Sequence, residues 1–213
     1  MKERPENLRI YEHDPLGWCN SYTFNTSEIW GANVFRIMTT GETLHSVSFY
    51  TPFSNMRADV FVYDLGASFD GGSPRAGTLL ASTTTTLPYA GCHSVELTNA
   101  SLTRGNYFSA VVRYVDLNDN DDDYAAVPIE VAVKGYSGNA VVFDNESYFS
   151  DLGEEWRDGT EMVDDFRGGV PNHANAASRL SRSRLTTTLS RSSWSTKLSW
   201  VLSPPSSIHL TAH

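Results

Sequence analysis

The stretch RADVFVYD, residues 57–64, decides the fold class because its side chains alternate with a period of two. In an extended chain, Ala58, Val60 and Val62 fall on one face. The residues that alternate with them, Asp59, Phe61 and Tyr63, fall on the other face. This alternation is typical of a β-strand. The same period recurs in residues 44–51 (LHSVSFYT), 107–115 (YFSAVVRYV) and 129–134 (IEVAVK).

Short segments rich in turn residues separate these predicted strands. They are residues 69–77 (FDGGSPRAG), 87–91 (LPYAG), 103–106 (TRGN), 116–123 (DLNDNDDD) and 135–139 (GYSGN). No segment before residue 165 keeps a helical period long enough for more than a single turn of helix. The spacing predicts an all-β protein, an antiparallel β-sandwich or jelly roll.

Charge is divided unevenly along the chain, whose formal net charge is −9. Residues 1–165 hold ten Lys and Arg against 25 carboxylates, a net charge of −15, whereas residues 166–213 hold six Lys and Arg and no carboxylate. Nucleic-acid binding requires a clustered basic face, which the acidic body lacks. Nucleic acid is therefore excluded as the main ligand.

Residues 176–213 differ in character from the rest of the chain. They contain eleven Ser, five Thr and four Arg, with no Asp, Glu or Gly. One interpretation is a basic tail that is phosphorylated or binds nucleic acid. The composition favours a disordered tail, because it offers too little apolar surface to offset the entropy of ordering.

Targeting signals are absent from the sequence as given. The first fifteen residues lack the apolar segment of a signal peptide, and no run of 18 apolar residues could span a bilayer. The sequence alone thus indicates neither export nor a membrane span, an expectation that changes if Met1 is an internal start or a fragment boundary.

Two cysteines, Cys19 and Cys92, leave two interpretations open: one disulfide, or two small buried thiols, which the sequence favours. His93 follows Cys92 directly, but neighbouring residues in a strand point to opposite faces and cannot form a nucleophile and base pair. No hydrolase, nucleotide-binding or metalloprotease motif occurs. The sequence therefore predicts a protein that is not an enzyme.

The segment DLNDNDDD predicts a metal site in one of two interpretations. Asp116, Asn118, Asn120 and Asp122 place hard oxygen donors at every second position, as at the start of loop-type Ca²⁺ sites. The Gly and Glu that complete an EF-hand are missing, so this is not an EF-hand. A solvated acidic turn is the commoner outcome, and a Ca²⁺ site is the alternative.

Aromatic residues exceed what one sandwich core readily uses. Sugars stack their C–H faces on aromatic rings flanked by polar donors and acceptors. Those in predicted loops, Tyr89, Tyr124, Tyr136 and Trp156, are candidate ligand-binding residues. For each ring taken singly, packing in the core or across strands is the competing interpretation.

Seven stretches occur in an order and at spacings that resemble one known family. They are 11–18 (YEHDPLGW), 30–35 (WGANVF), 47–51 (VSFYT), 87–97 (LPYAGCHSVEL), 102–114 (LTRGNYFSAVVRY), 127–140 (VPIEVAVKGYSGNA) and 147–156 (SYFSDLGEEW). They resemble the lectin-like domain that follows the catalytic domain of bacterial and archaeal secreted papain-like cysteine peptidases. The resemblance covers residues 11–175, and residues 1–10 look like the remnant of an interdomain linker.

The resemblance implies a non-catalytic β-sandwich that binds a glycan or cell-surface polymer and accompanies a papain-like peptidase domain. It also implies an extracellular or cell-surface location. In this light WGANVF looks like the first core strand, with Trp30 and Phe35 packing the sandwich. The alternative function is a structural or protein-interaction module that packs on the peptidase or the cell envelope without binding sugar.

The chain departs from the family pattern in two respects. Nothing in it matches the catalytic Cys setting of a papain-like peptidase, so the peptidase domain is absent. Family members typically close with an apolar strand soon after the position of Asn175, where this chain turns Ser- and Arg-rich. A shifted reading frame would produce that change, and the sandwich would then lack its final strand and expose an edge.

Overall fold

The computed structural model of the 213-residue chain describes residues 8–13, 17–118, 124–132, 135–138, 140–161, 179–180 and 184–189. Within these residues the chain forms thirteen β-strands and no α-helix. The strands are β1 (Leu8–Tyr11), β2 (Asn20–Tyr22), β3 (Glu28–Arg36), β4 (Glu42–Thr51), β5 (Met56–Gly66), β6 (Thr78–Leu87), β7 (Gly91–Ser101), β8 (Tyr107–Asp116), β9 (Val127–Glu130), β10 (Ser147–Ser150), β11 (Arg157–Asp158), β12 (Arg179–Leu180) and β13 (Arg184–Leu189).

The strands form three sheets, and all of their pairings are antiparallel. The largest has six strands in the order β11-β10-β3-β8-β5-β6. A four-stranded sheet has the order β1-β13-β4-β7, and a three-stranded sheet has the order β12-β9-β2. The predicted all-β antiparallel sandwich is confirmed.

The main core lies between the six-stranded and four-stranded sheets. It takes one face of each strand, as the alternation in the sequence requires. Val60 and Val62 of β5 and Phe49 of β4 are buried in it, together with Phe108 of β8 and Phe35 of β3. Burying an aliphatic or aromatic side chain of this size contributes about 1.5–3 kcal/mol. The apolar residues that alternate along residues 57–64 thus form part of the sandwich core.

A second buried cluster covers the outer face of the six-stranded sheet. Trp30 belongs to this cluster and not to the core that holds Phe35, because the two residues are five positions apart and point to opposite faces. Both rings are buried as expected, but they pack on opposite faces of the six-stranded sheet. Arg75 lies over the Trp30 ring at 4.7 Å from its centroid, and the backbone of Gly153 packs on the ring so closely that a Cβ would meet it at 2.7 Å.

The predicted strands lie where the alternation placed them, with one shorter than expected. Residues 44–51 fall in β4, 57–64 in β5 and 107–115 in β8. Of residues 129–134, only Ile129 and Glu130 belong to a strand, because β9 ends at Glu130. Residues 133–134 lie outside the described residues.

Two short segments of the Ser- and Arg-rich tail are paired in the sheets. Strand β13 lies between β1 and β4, with Leu8 opposite Thr188 and Val47 opposite Leu185. Strand β12 pairs with β9. Three successive threonines, 186–188, suit an extended chain because β-branched residues favour strands. Strand β13 pairs along β4 on the side opposite β7, and the rest of residues 176–213 lies outside the described residues.

Candidate functional site

A cleft of about 500 Å³ opens at one end of the sandwich. Strands β4, β6 and β8 end there, so their following loops lie side by side. The cleft is lined by Pro52, Phe53, Ser54, Ala90, Asp116, Asn118 and Tyr124. Its walls therefore come from three segments of the chain that are far apart in sequence.

Hydrogen bonds fix the loop after β4 to the segment after β8. The Asn55 side-chain amide donates to Oδ1 of Asn118 at 3.1 Å, and the Leu117 backbone N–H donates to the Asn55 carbonyl at 3.1 Å. The amide of Asn118 also donates to the Ser54 carbonyl at 3.3 Å. Asn55 has a φ of 57°, a left-handed conformation that Asn tolerates better than most residues. These contacts hold the cleft open in one shape.

Asp116 and Asn118, which both line the cleft, form a local turn. Oδ1 of Asp116 accepts the backbone N–H of Asn118 at 2.9 Å and its side-chain amide at 2.7 Å. This arrangement is an Asx turn, which fixes the orientation of the carboxylate. Within the described residues, Oδ2 of Asp116 makes no hydrogen bond. One oxygen of a cleft-lining carboxylate thus has no hydrogen-bond partner among the described residues.

Two aromatic rings form the apolar wall. The centroids of Phe53 and Tyr124 lie 5.7 Å apart with the ring planes at 85°, an edge-to-face pair. Their residues are 37% and 39% exposed, so both rings keep a surface in solvent. Sequence reasoning missed Phe53, although the Pro52 before it and Asn55 after it mark a turn that carries an aromatic residue.

Tyr89 lies in the turn that supplies Ala90 to the cleft. Its residue is 75% exposed, and its carbonyl accepts a hydrogen bond from Nε2 of His93 at 3.0 Å and a long one from Thr51 at 3.4 Å. The turn is therefore anchored to the end of β4, while the Tyr89 ring itself is open to solvent. It does not line the cleft wall but lies one residue from it.

The other two predicted ligand-binding residues do not line the cleft. Tyr136 is 66% exposed in a loop whose next residue, Ser137, is buried and donates to the Val131 carbonyl. Trp156 packs edge-on against Trp30, with centroids 6.5 Å apart, on the outer face of the six-stranded sheet. The structure thus brings together Tyr124, Asp116 and Asn118, and leaves Tyr136 and Trp156 outside the cleft.

The predicted Ca²⁺ site falls only partly within the described residues. Asn120 and Asp122 lie outside the described residues. Asp116 and Asn118 are described, and Asn118 donates two hydrogen bonds to Asp116. Across the part of the chain that the structure describes, no group of three or more His, Cys, Asp or Glu side chains could hold a metal ion. The Ca²⁺ site stays a prediction.

The cysteines form no disulfide, since both thiols are free. Cys19 is half-buried, with its Sγ 3.5 Å from the Ser137 hydroxyl oxygen, whereas Cys92 is exposed. The expectation of two buried thiols is therefore wrong for Cys92, which enters edge strand β7 facing solvent. His93 is half-buried and binds the Tyr89 carbonyl, so the two neighbours face opposite sides as strand geometry requires.

A second polar cluster lies at the opposite end of the sandwich, where β4 begins. Glu42 has a fully buried side chain whose Oε1 binds Arg9 at 2.9 Å and whose Oε2 accepts the Tyr11 hydroxyl at 2.6 Å. Arg9 also bonds Thr39. Burial of the Tyr11 hydroxyl, with its bond to Glu42, raises the pKa of Tyr11 well above its ordinary value. This cluster joins the first strand to the sandwich.

An ion pair between Arg113 and Glu28 on the outer face of the six-stranded sheet affects the pKa of the Glu28 carboxyl group. Burial raises the pKa of Glu28, but hydrogen bonds from Arg113 and the Trp30 indole outweigh burial and hold that pKa below its ordinary value. Arg113 also lies 3.4 Å from Asp59 and 5.5 Å from the Trp30 ring centroid. These groups stabilise the sheet and face one another.

Comparison with models of known protein families assigns the chain to a domain family. The model of a lectin-like domain matches residues 10–167, which is most of the chain and includes the cleft-lining residues and all six strands of the largest sheet. The chain belongs to the lectin-like domain family. This confirms the resemblance carried by the seven stretches in the sequence. No curated protein sequence matches the chain.

Two solved structures have the same fold as this lectin-like domain. One contains the cysteine protease and lectin-like domains of Cwp84, a surface layer associated protein of Clostridium difficile, with a TM-score of 0.67 and 19% identity over 89% of this chain. The other, the clostridial cysteine protease Cwp84 after propeptide cleavage, has a TM-score of 0.65 and 20% identity over 89% of this chain. The matches span only 37% and 42% of those chains. In the described residues no helix has the length and apolar character to cross a membrane.

Proposed function

We propose that this lectin-like domain binds carbohydrate in the cleft and acts as a non-catalytic accessory domain of a secreted cysteine peptidase at a cell surface. The observation that carries the proposal is the meeting of Phe53, Tyr124, Asp116 and Asn118 in one cleft. Three of these four were singled out from the sequence because of their chemistry. The peptidase partner and the surface location rest on the lectin-like family and on Cwp84.

The cleft has the two kinds of group that sugar binding requires. Exposed rings of Phe53 and Tyr124 offer apolar surface for the C–H face of a pyranose, and Asp116 offers an acceptor for its hydroxyl groups. Since the loops are braced by Asn55 and Asn118, little ordering entropy is lost when a ligand binds. A cleft of this volume takes a short saccharide segment.

A second candidate function is supported by the outer face of the six-stranded sheet. Phe61, Phe69, Tyr107 and Trp156 are half-buried there, around the buried Trp30. Half-buried aromatic surface is a common component of protein interfaces. In this alternative the domain packs on its peptidase or on the cell envelope, and the cleft plays no part.

Binding of the full chain to a glycan array and to purified cell-wall polymer tests the proposal. Tyr124→Ala should weaken binding at least about tenfold, which corresponds to about 1.4 kcal/mol. Tyr136→Ala is the matched control, since it removes an exposed tyrosine that does not line the cleft. Repeating the screen with Ca²⁺ and with a chelator tests the predicted metal site at Asp116, Asn118, Asn120 and Asp122.

The outcomes separate the two functions. Binding that depends on Tyr124 and not on Tyr136 supports the carbohydrate site. Failure of a folded chain to bind any glycan, with or without Ca²⁺, would overturn it. In that case retention of the chain on an immobilised papain-like peptidase domain, lost on substitution of Trp156, would favour the interaction module.

A further inference from the structure

We infer that the cleft selects saccharides that carry a charged amino group over neutral or anionic saccharides. This inference rests on the proposed function and adds the chemical class of the ligand. Among the described residues that line the cleft, Asp116 is the only Asp, Glu, Lys, Arg or His. The described lining therefore contains a negative group and no positive group to balance it.

The carboxylate of Asp116 is arranged to accept one strong hydrogen bond. Its Oδ1 already takes two hydrogen bonds from Asn118, at 2.9 and 2.7 Å, which fix the rotation of the side chain. Its Oδ2 makes no hydrogen bond within the described residues. The Asp116 residue to which this oxygen belongs lines the cleft. An ammonium group has three donors and no acceptor, and its bonds to carboxylates are about twice as strong as neutral ones.

The aromatic wall also favours a cation. An ammonium group within about 6 Å of the face of a tyrosine or phenylalanine ring is attracted by the ring quadrupole. Tyr124 and Phe53 stand edge to face, so their ring faces point in different directions and one cleft offers faces at two angles. A sugar ring can stack on one of these faces while its amino group reaches Asp116.

The charge of the whole domain acts in the same direction. Residues 1–165 carry ten Lys and Arg against 25 carboxylates, and five of those carboxylates lie in the segment 116–123 that borders the cleft in sequence. A negative field raises the rate at which cations arrive and repels anions. Uronic acids and phosphate-bearing polymers are therefore disfavoured, because each would add a negative charge beside Asp116.

A neutral N-acetylated sugar should bind more weakly at the same position. Its acetamido group has one N–H donor and no charge, so the desolvated Asp116 carboxylate is only partly compensated. The predicted preference for the free amine is at least about tenfold, or about 1.4 kcal/mol.

The test is calorimetric titration of the full chain at pH 6 with two oligosaccharides matched in length and linkage. One is a β-1,4-linked glucosamine tetramer and the other is the N-acetylglucosamine tetramer. Asp116→Asn keeps one oxygen that can accept the Asn118 bonds, removes the charge and replaces the second acceptor oxygen with an NH2 donor. It should weaken binding of the glucosamine tetramer at least about tenfold more than binding of the N-acetylated tetramer, and so abolish the preference for the amine. Glu154→Gln, at an exposed carboxylate outside the cleft, is the control for net charge and should leave the preference intact.

The outcomes distinguish this inference from the proposed function. A preference for the glucosamine tetramer that is lost in Asp116→Asn and weakened by salt supports the inference. Equal or tighter binding of the N-acetylated tetramer would overturn it and leave carbohydrate binding standing. If neither tetramer binds, with or without Ca²⁺, and the glycan array shows no other ligand, both this inference and the proposed carbohydrate binding are overturned. Equally tight binding of a lysine tetramer would show that the site reads an ammonium group without a sugar, and would contradict the saccharide class.

Discussion

The two ends of the sandwich each place a carboxylate beside a tyrosine, with opposite results. At one end Glu42 is fully buried, and Arg9 and Tyr11 satisfy both of its oxygens. At the other end Asp116 shares one oxygen with Asn118 and keeps the other open, while Tyr124 is 39% exposed beside it. Similar residue types close one end of the domain and leave a cleft at the other.

The difference indicates how structural polar clusters are separated from binding sites. A buried carboxylate must be fully paired, because an uncompensated charge in the interior is costly. A carboxylate at a cleft can keep an oxygen free, because solvent satisfies it until a ligand replaces the water. The state of each oxygen is therefore more informative than the presence of an acidic residue and a tyrosine.

The largest expected effect comes from removing the strand that completes the closed end. Ending the chain after Asn175 removes β13, which separates β1 from β4, so the Arg9 and Tyr11 contacts lose their backbone support. We expect a loss of about 3 kcal/mol or more in the free energy of unfolding, from several lost ladder bonds at about 1 kcal/mol each, and increased aggregation at the open edge.

Chemical denaturation of three chains tests this expectation. A chain that ends after Leu189 keeps β13 and is the matched control, and it should unfold like the full chain. Equal stability of the chain that ends after Asn175 would show that β13 contributes nothing to the closed end.

The next effect is the loss of the buried carboxylate. Glu42→Ala removes the acceptor of the Arg9 and Tyr11 bonds and should lower the free energy of unfolding by about 2 kcal/mol, since hydrogen bonds to charged groups contribute about 1.5–3 kcal/mol. Tyr11→Phe removes only one of these bonds and should cost about 1 kcal/mol. Urea unfolding curves measure both, and an unchanged midpoint for Glu42→Ala would contradict the structural role.

A smaller effect is expected on the pH dependence of stability. Glu28 has a pKa below its ordinary value of 4.5, so the ionised form stabilises the folded state. That contribution is complete above pH 4.5, falls as the pH drops below this value, and is lost once the pH passes the folded pKa. Glu28→Gln should therefore flatten the fall of unfolding free energy between pH 5 and pH 3. An identical slope in both chains would show that the Arg113 pair does not contribute.

The smallest effect on stability is expected at the open end. Asp116→Asn retains an acceptor oxygen for the Asn118 bonds and should change the free energy of unfolding by less than about 0.5 kcal/mol. Measured beside Glu42→Ala under the same conditions, it compares the two ends directly. A loss as large as that of Glu42→Ala would mean that Asp116 serves the fold, and the cleft would lose its free acceptor.

Local periodicity in the sequence was sufficient to predict the strands but not to predict which residues meet in the cleft. Residues 57–64 alternate because β5 has an inner and an outer face, and that pattern needs no knowledge of other strands. The contact between Phe53 and Tyr124 depends on which strands end at the same edge of the sandwich, which a local pattern does not specify. The position of Trp30 could have been predicted, since strand parity places it opposite Phe35.

Residues 184–189 form a strand that the composition of the tail does not predict. A Ser- and Arg-rich composition predicts disorder when the segment is considered alone. The slot between β1 and β4 offers backbone partners on both sides, and backbone hydrogen bonding accepts many sequences. Tertiary context thus overrides composition at this strand.

Mapping of backbone amide shifts during titration with a saccharide that binds the chain would show whether the cleft is the carbohydrate site. We expect the amide shifts to change at Phe53 and Ser54, at Ala90, and at Asp116, Asn118 and Tyr124, and to stay constant at Tyr136 and Trp156. Shifts confined to the outer face around Trp156, or to the loop of Tyr136, would contradict the assignment of the cleft as the carbohydrate site.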